Sequence, residues 1–232
     1  MMKNIVLIGG SKGIGLATAK LLNEEYKVIV ASRSKGDLEN INVTHLEFDV
    51  LKDDISTLDL PEIIDGLAFF PGSINLKPFK MLKTTDFETD LQLNFISLVK
   101  VVQGLLDKLK KSNQASLVFF STIAAQTGMP FHTSVAASKS AIEGFAKSLA
   151  AELAPKIRVN VIAPSLTNTS LAEKLLNKEE KITKMAQRHP LKKIGEPEDI
   201  AKLTKFLLTE ESSWITGQVI GIDGGLSTLN LQ

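Results

Sequence analysis

Residues 9–15 read GGSKGIG, between the apolar run that ends at Ile8 and an amphipathic stretch that begins at Ile14. Glycine lets backbone come close to a ligand, and a loop that feeds a helix offers free N–H groups and the positive end of the helix dipole. The chemistry this suits is the holding of a pyrophosphate, with Gly9, Ser11, Lys12, Gly13, Ile14 and Gly15 around it. A flexible glycine-rich turn is the alternative; the strand before it and the helix after it favour the anion cradle. Further on, the run ASRS at 31–34 ends in a cation, Arg33, with no carboxylate beside it, and Lys12 adds a second cation from the loop. Ribose 2′-hydroxyls are usually held by an acid at this place, 2′-phosphates by a cation without one. Arg33 is one of three arginines in a lysine-rich chain, and its planar fork fits a phosphate. The alternative is a solvated surface arginine.

A second group of chemically able residues lies in HTSVAASKSA, residues 132–141. On a helix, positions 135 and 139 share one face, so Val135 and Lys139 stand together. His132 and Ser134 precede them; Ser134 reads as the helix N-cap, since a serine there satisfies free backbone donors. The three histidines, His45, His132 and His189, are far apart and show no metal-ligand spacing, and no metal site is expected. The absence of cysteine excludes disulfides, thiolate nucleophiles and Cys-ligated zinc.

These residues need a scaffold, and the chain spells one out. Seven short runs rich in Val, Ile and Phe, at 4–9, 27–32, 44–49, 66–70, 116–121, 157–163 and 218–223, alternate with amphipathic helical patterns. That alternation predicts a parallel α/β sheet covered on both faces. The connections from Arg33 to Asp49 and from Asp49 to Gly66 are too short for full helices, and Pro61 shortens the second further. No linker divides the 232 residues, so one domain is expected. A net charge of +1 gathers neither nucleic acid nor an anionic membrane, which leaves small molecules as the expected partners. The opening MMKNIVLIGG is too short an apolar run for a signal peptide and reads as a buried strand, hence a cytoplasmic protein.

The spacing G-x-x-x-G-x-G resembles that of the short-chain dehydrogenase/reductase family. The resemblance continues through FDV at 48–50, Asn94 in LQLNFISLV, STIAA at 121–125, Lys139, RVNVIAPS at 158–165 and ITGQVIGIDGG at 215–225. It implies a Rossmann-like doubly wound sheet and a nicotinamide cofactor, and Arg33 with Lys12 makes NADP(H) the expected one. By the same resemblance Asp49 and Val50 flank the adenine, Thr167 and Thr169 reach the carboxamide, and the segments containing Gly72 and Pro164 line the cofactor. The family's catalytic asparagine, serine, tyrosine and lysine fall on Asn94, Thr122, Val135 and Lys139, with Asn94 and Lys139 also near the cofactor and Ser121 competing with Thr122.

Valine cannot protonate an alkoxide. The single tyrosine, Tyr26, belongs at the other end of the sheet. His132, Ser134 or a water held by Asn94 and Lys139 are the candidate substitutes. Two cofactor-lining segments also depart from the family pattern: FFPG at 69–72, and Pro164-Ser165 in place of Pro-Gly. Phe69 reads as core, and Phe70 as an apolar cap on the site. The expected activity is NADP(H)-dependent oxidation or reduction of a small carbonyl, alcohol or enone by an altered proton route. The alternative is an NADP(H)-binding protein without turnover. Assembly as a homodimer or homotetramer is expected through the helix that carries Ala136, Ala137, Ser140 and Gly144, small residues that otherwise pack against the chain's own sheet.

Overall fold

β-Branched and aromatic side chains fit a pleated surface buried on both sides, and the seven apolar runs become seven strands. They are β1 (Asn4–Ile8), β2 (Lys27–Ser32), β3 (Thr44–Glu47), β4 (Gly66–Phe69), β5 (Ala115–Phe120), β6 (Ile157–Pro164) and β7 (Val219–Ile222). This computed structural model describes residues 2–230. All pairings are parallel and the order is β3-β2-β1-β4-β5-β6-β7. From β1 the chain works outward to β3, then crosses back to lay β4 on the other side of β1. A crevice therefore opens at the carboxyl ends of β1 and β4, where ligands bind in open sheets of this kind.

The helices are α1 (Gly13–Leu22), α2 (Thr84–Leu91), α3 (Ser97–Lys110), α4 (Thr133–Leu153), α5 (Glu173–Leu176), α6 (Glu179–Arg188) and α7 (Pro197–Leu208). Strand alternation sends Ile5 and Leu7 to one face, where they meet Ala19 and Leu22 of α1 and Leu207 of α7. Val6 and Ile8 point the other way, to Leu98 and Leu105 of α3 and Ile142 and Ala146 of α4. Burying each large aliphatic side chain contributes about 1.5–3 kcal/mol, so this double cover fixes the strand ends that carry the site. α7 starts sharply because Pro197 occupies its first turn and Asp199 accepts from the Glu196 backbone N–H at 3.0 Å. No described helix is long and apolar enough to cross a membrane.

The two short connections hold only 3₁₀ turns, Gly36–Leu38 and Ile55–Thr57, each pinned by one buried aliphatic residue, Leu38 or Ile55. The expectation for Ser134 fails. α4 begins at Thr133 with His132 as N-cap, and Ser134 is buried with its hydroxyl donating to Asp90 Oδ2 at 2.6 Å. A tertiary acceptor has outcompeted the local backbone donors. The small residues of α4 also divide differently from the packing alternative: Ala137, Ser140 and Gly144 face outward, while Val135, Ser138, Lys139, Ile142 and Ala146 face the sheet.

The cover over the second short connection generates a test. A Cβ on Gly104 of α3 would overlap the Ile55 Cγ2 methyl. Gly104→Ala is expected to lose about 1–3 kcal/mol in urea unfolding, in spite of its better helix propensity. Combined with Ile55→Ala the loss is smaller than the sum of the two. Parental stability in Gly104→Ala would show that this contact does not limit α3.

Candidate active site

A cavity of about 620 Å³ follows the carboxyl edge of the sheet. Its first wall is the glycine loop, where Gly9 (φ +79°) and Gly13 (φ +53°) adopt the left-handed backbone that side chains disfavour. Gly15 has a different task from the one its place in the loop suggested. A Cβ there would lie 2.7 Å from Gly10 Cα and 2.8 Å from the Gly9 carbonyl oxygen, so it lets the helix close onto its own loop. Lys12 is the extended N-cap residue of α1, makes no side-chain capping bond, and is followed by a first turn without acidic residues. The first-turn N–H groups, Ser11 and Ile14 thus face the cavity with the positive end of the helix dipole behind them.

Arg33, after β2, lies on the same wall. Arg33 and Lys12 are exposed, and neither pairs with a carboxylate among the described residues. Asp49 and Val50 follow β3 onto the wall, where Asp49 Oδ1 accepts from the Leu51 N–H at 3.0 Å. Phe69 is buried core, whereas Phe70 lines the cavity and stacks on Phe120 with ring centroids 4.8 Å apart. Pro164, Thr167 and Thr169 close the far side. Every cofactor-contact residue expected from the sequence lies on this surface except Asn94.

Asn94 is fully buried, behind the wall. It sits in a π-helical turn, Gln92–Ile96, that joins α2 to α3, a distortion found frequently at functional sites. Its Nδ2 donates to Ser73 Oγ (2.9 Å) and to the Asp90 carbonyl (2.8 Å), and its Oδ1 accepts from the Ser73 N–H (3.3 Å). Gly72 and Ser73 cover it. A Cβ on Gly72 would lie 3.2 Å from both Asn94 Oδ1 and Lys139 Nζ, so the bare glycine is where these two groups converge. Asn94 is linked to the cavity wall through Ser73, which lines it.

Lys139 is buried, and its ammonium donates to the Phe120 carbonyl at 2.9 Å. Burial lowers its pKa to about 8, against the opposing pull of the Asp90 carboxylate. Asp90 escaped the sequence reading. Both its oxygens accept hydroxyl bonds at 2.6 Å, from Ser73 and from Ser134, which explains how a carboxylate sits here at 2% exposure. The one signal in the sequence is an acid a helical turn before Asn94.

The geometry separates Ser121 from Thr122. The Ser121 hydroxyl is committed to Glu143 Oε1 at 2.6 Å, while Thr122 Oγ1 accepts from the Ala124 N–H at 3.3 Å and keeps its own proton for the cavity. Val135 lines the cavity one turn before Lys139. His132 reaches it too; its Nδ1 donates to the Pro130 carbonyl at 2.7 Å, and its Nε2 has no partner among the described residues. Tyr26 precedes β2 at the opposite end of the sheet, packed against the α1 side of the core. Ser165 and His189, also on the wall, are hydrogen-bonded to each other, and the sequence reading gave His189 no role. Among the described residues no group of His, Cys, Asp and Glu is arranged to hold a metal ion.

Lys139 carries a stability consequence. Its folded pKa, about 8, lies below its ordinary 10.5, so the unfolded chain binds the proton more tightly. The resulting penalty is fully present below about pH 8 and is relieved as pH rises toward 10.5. Lys139→Met is therefore expected to raise unfolding stability at neutral pH, by up to roughly 3 kcal/mol, with the gain shrinking in alkaline urea titrations. A gain that does not change with pH would rule out a strained ammonium.

The fold and the site have known counterparts. The family described as enoyl-(acyl carrier protein) reductase matches residues 9–227. Carbonyl reductase family member 4 of Xenopus laevis is 37% identical over 97% of this chain and 98% of its own. The 3-oxoacyl-[acyl-carrier-protein] reductase FabG of Thermotoga maritima is 31% identical over 97% of both. A short chain dehydrogenase family protein from Francisella tularensis superposes with a TM-score of 0.91 at 30% identity, covering 99% of this chain and 100% of that one. ElxO, solved with NADP bound, superposes with a TM-score of 0.89 at 28% identity over 99% of this chain and 100% of its own. With the glycine loop, the parallel order around β1 and the buried lysine in place, this chain belongs to the short-chain dehydrogenase/reductase family of oxidoreductases.

Proposed function

We propose that this oxidoreductase uses NADP(H) on a small carbonyl, alcohol or enone substrate, and that its proton travels by a route other than a tyrosine at 135. The observation that carries the cofactor reading is the pair of unpaired cations, Lys12 and Arg33, on a wall where β2 ends in Ala31-Ser32-Arg33-Ser34 without an acid. The residues fit the group: the glycine loop leaves an open cradle beside the free N–H groups of α1, and Gly72 leaves the Lys139 ammonium uncovered. Bound NADP(H) would supply or accept the hydride.

The chain's own residues do the rest. The loop N–H groups hold the pyrophosphate, Arg33 and Lys12 the 2′-phosphate, Asp49 and Val50 the adenine side, and Thr167 and Thr169 the carboxamide. Lys139 donates to the ribose hydroxyls. Thr122 donates to the substrate oxygen as it gains negative charge. Ile74, Leu93, Met129 and Leu175 line the remaining space and suit a substrate with an apolar body. Losing a general acid costs about 10²–10⁴ in rate, roughly 3–5.5 kcal/mol, and leaves positioning intact.

The observation favouring the second reading, a cofactor-binding protein without turnover, is the apolar side chain of Val135 itself. Titration with NADPH and NADH, alongside a panel of carbonyls and enones, decides between the two. Binding with no turnover across the panel selects the silent reading. In the same titration Arg33→Ala is expected to weaken NADPH at least about tenfold, as loss of one charge-assisted hydrogen bond does, and to leave NADH unchanged. Equal losses for both cofactors would show that Arg33 does not read the phosphate.

Assembly as a homodimer or homotetramer belongs to the same proposal. It is supported by the outward stripe of Ala137, Ser140 and Gly144, and by Trp214, which is 98% exposed. A Cβ on Gly144 meets nothing within 4 Å, so Gly144→Glu leaves the fold intact while placing a charge on the stripe. Light scattering is expected to give a multiple of 25.2 kDa for the parent and a smaller mass for this variant. A monomeric parent would end the idea.

A further inference from the structure

His189 follows α6 and is 3% exposed, yet its ring is on the cavity wall. Its Nδ1 lies 2.9 Å from the Met185 carbonyl, which can only accept, so Nδ1 carries a hydrogen in every protonation state. The nitrogen left to accept from a hydroxyl is therefore Nε2. Nε2 faces Ser165 Oγ at 2.8 Å. Ser165 is held in place by its own N–H, which donates to the Ile222 carbonyl (3.2 Å), and by its carbonyl, which accepts from Thr167 Oγ1 (3.1 Å). When the imidazole is neutral, the Ser165 hydroxyl donates to Nε2. When it is charged, Nε2–H donates to Oγ and the hydroxyl proton is released to the cavity. Both ring nitrogens are bonded in either state, and only the direction of the Ser165 bond changes, which is the arrangement a relay needs.

We propose that Ser165 and His189 form the proton relay of this pocket, with Ser165 touching the substrate oxygen and His189 acting through it; this rests on the oxidoreductase reading above. In reduction, the substrate carbon gains a hydride from the cofactor and its oxygen takes the Ser165 hydroxyl proton. As that O–H bond breaks, the Nε2–H proton of charged His189 passes to Oγ. The products are the alcohol, oxidised cofactor and neutral His189, which recovers a proton from water. Oxidation runs in reverse, with neutral Nε2 receiving the alcohol proton through Oγ. The charged groups around His189 are Asp223, in the turn after β7, whose carboxylate interacts favourably with a charged imidazole, and Arg188, its neighbour in sequence and on the cavity wall. Lys139, whose pKa burial lowers to about 8, and His132 are also on the wall.

The test compares the parent with Ser165→Ala, Ser165→Thr, His189→Gln and His132→Gln, following NADPH consumption on the carbonyl and enone panel against pH. It adds ¹⁵N imidazole spectra of the cofactor-free protein. Ser165→Ala and His189→Gln are each expected to lower kcat by about 10²–10⁴ with NADPH affinity unchanged, and Ser165→Thr to retain most of the rate. His189→Gln is expected to remove the pH limb assigned to the imidazole. Val135→Tyr, which places a phenol one turn from Lys139, is expected to recover rate in the His189→Gln background. The spectra should show hydrogen on Nδ1 of neutral His189, and its Nε2 signal should move in Ser165→Ala. Parental rates and pH profile in both variants, a loss that follows His132→Gln instead, or a neutral His189 with hydrogen on Nε2 would each overturn the relay and leave the oxidoreductase reading standing. A parent that reduces nothing across the panel overturns both.

Discussion

A buried ammonium group must find acceptors, and the search of Lys139 for them organises the site. It reaches from α4 to the Phe120 carbonyl at the end of β5, tying the helix to the strand at the level where the sheet stops. Burial depresses its pKa to about 8, so the tie is weaker in charge than an exposed lysine would make it. The compensating charge that acts on it is Asp90, on α2. For the ammonium to sit there at all, β4 and β5 must end together, α4 must lie against them, and residue 72 must lack a side chain. Each of these is met by the parallel register Phe69↔Phe119 and by Gly72.

Asp90 is the second half of that arrangement. Its two oxygens are each bonded to a hydroxyl rather than to a cation, so the carboxylate is satisfied while its field still reaches Lys139. Ser134 brings it the start of α4, Ser73 the loop after β4, and Asn94 the π turn between α2 and α3. Polar networks in low dielectric specify geometry sharply when every member is paired, because an unpaired member is costly. Here the pairing is complete. The π turn, which taken alone is a poor helix, is held by the bonds Asn94 makes to Asp90 and Ser73.

What was legible in the sequence was whatever a short window determines. Runs such as NIVLI and ASLVFF read as buried strands because their side chains leave no other place for them, and the stunted connections before β3 and β4 followed from residue count and Pro61. The glycine loop between β1 and α1 is legible for the same reason. Ser134 was misread because capping is a local rule, and the partner that won, Asp90, is 44 residues away. Asn94 was placed correctly in the fold but expected on the wall; only the loop after β4 shows that Ser73 stands in front of it. The sequence singles out Asp90 nowhere and His189 only as lacking a metal-ligand spacing, since Ser73, Ser134 and Ser165, the hydroxyls they meet, are distant in the chain. Their partners come from other elements, and a single sequence does not contain that pairing.

The two ends of the cavity differ in solvent, and this divides their work. Lys12 and Arg33 stand in water, where salt screens their charge and an ion pair contributes little unless the donor geometry matches its partner. They can select a phosphate by shape and hydrogen bonding, at small cost to the fold. Lys139, Asp90 and His189 are buried, where orientation of each proton matters and misplacing one is expensive. Val135, buried and apolar, adds no donor or acceptor to the buried end. The two ends therefore meet different physical demands: screening and donor geometry at the exposed end, complete hydrogen-bond pairing at the buried one.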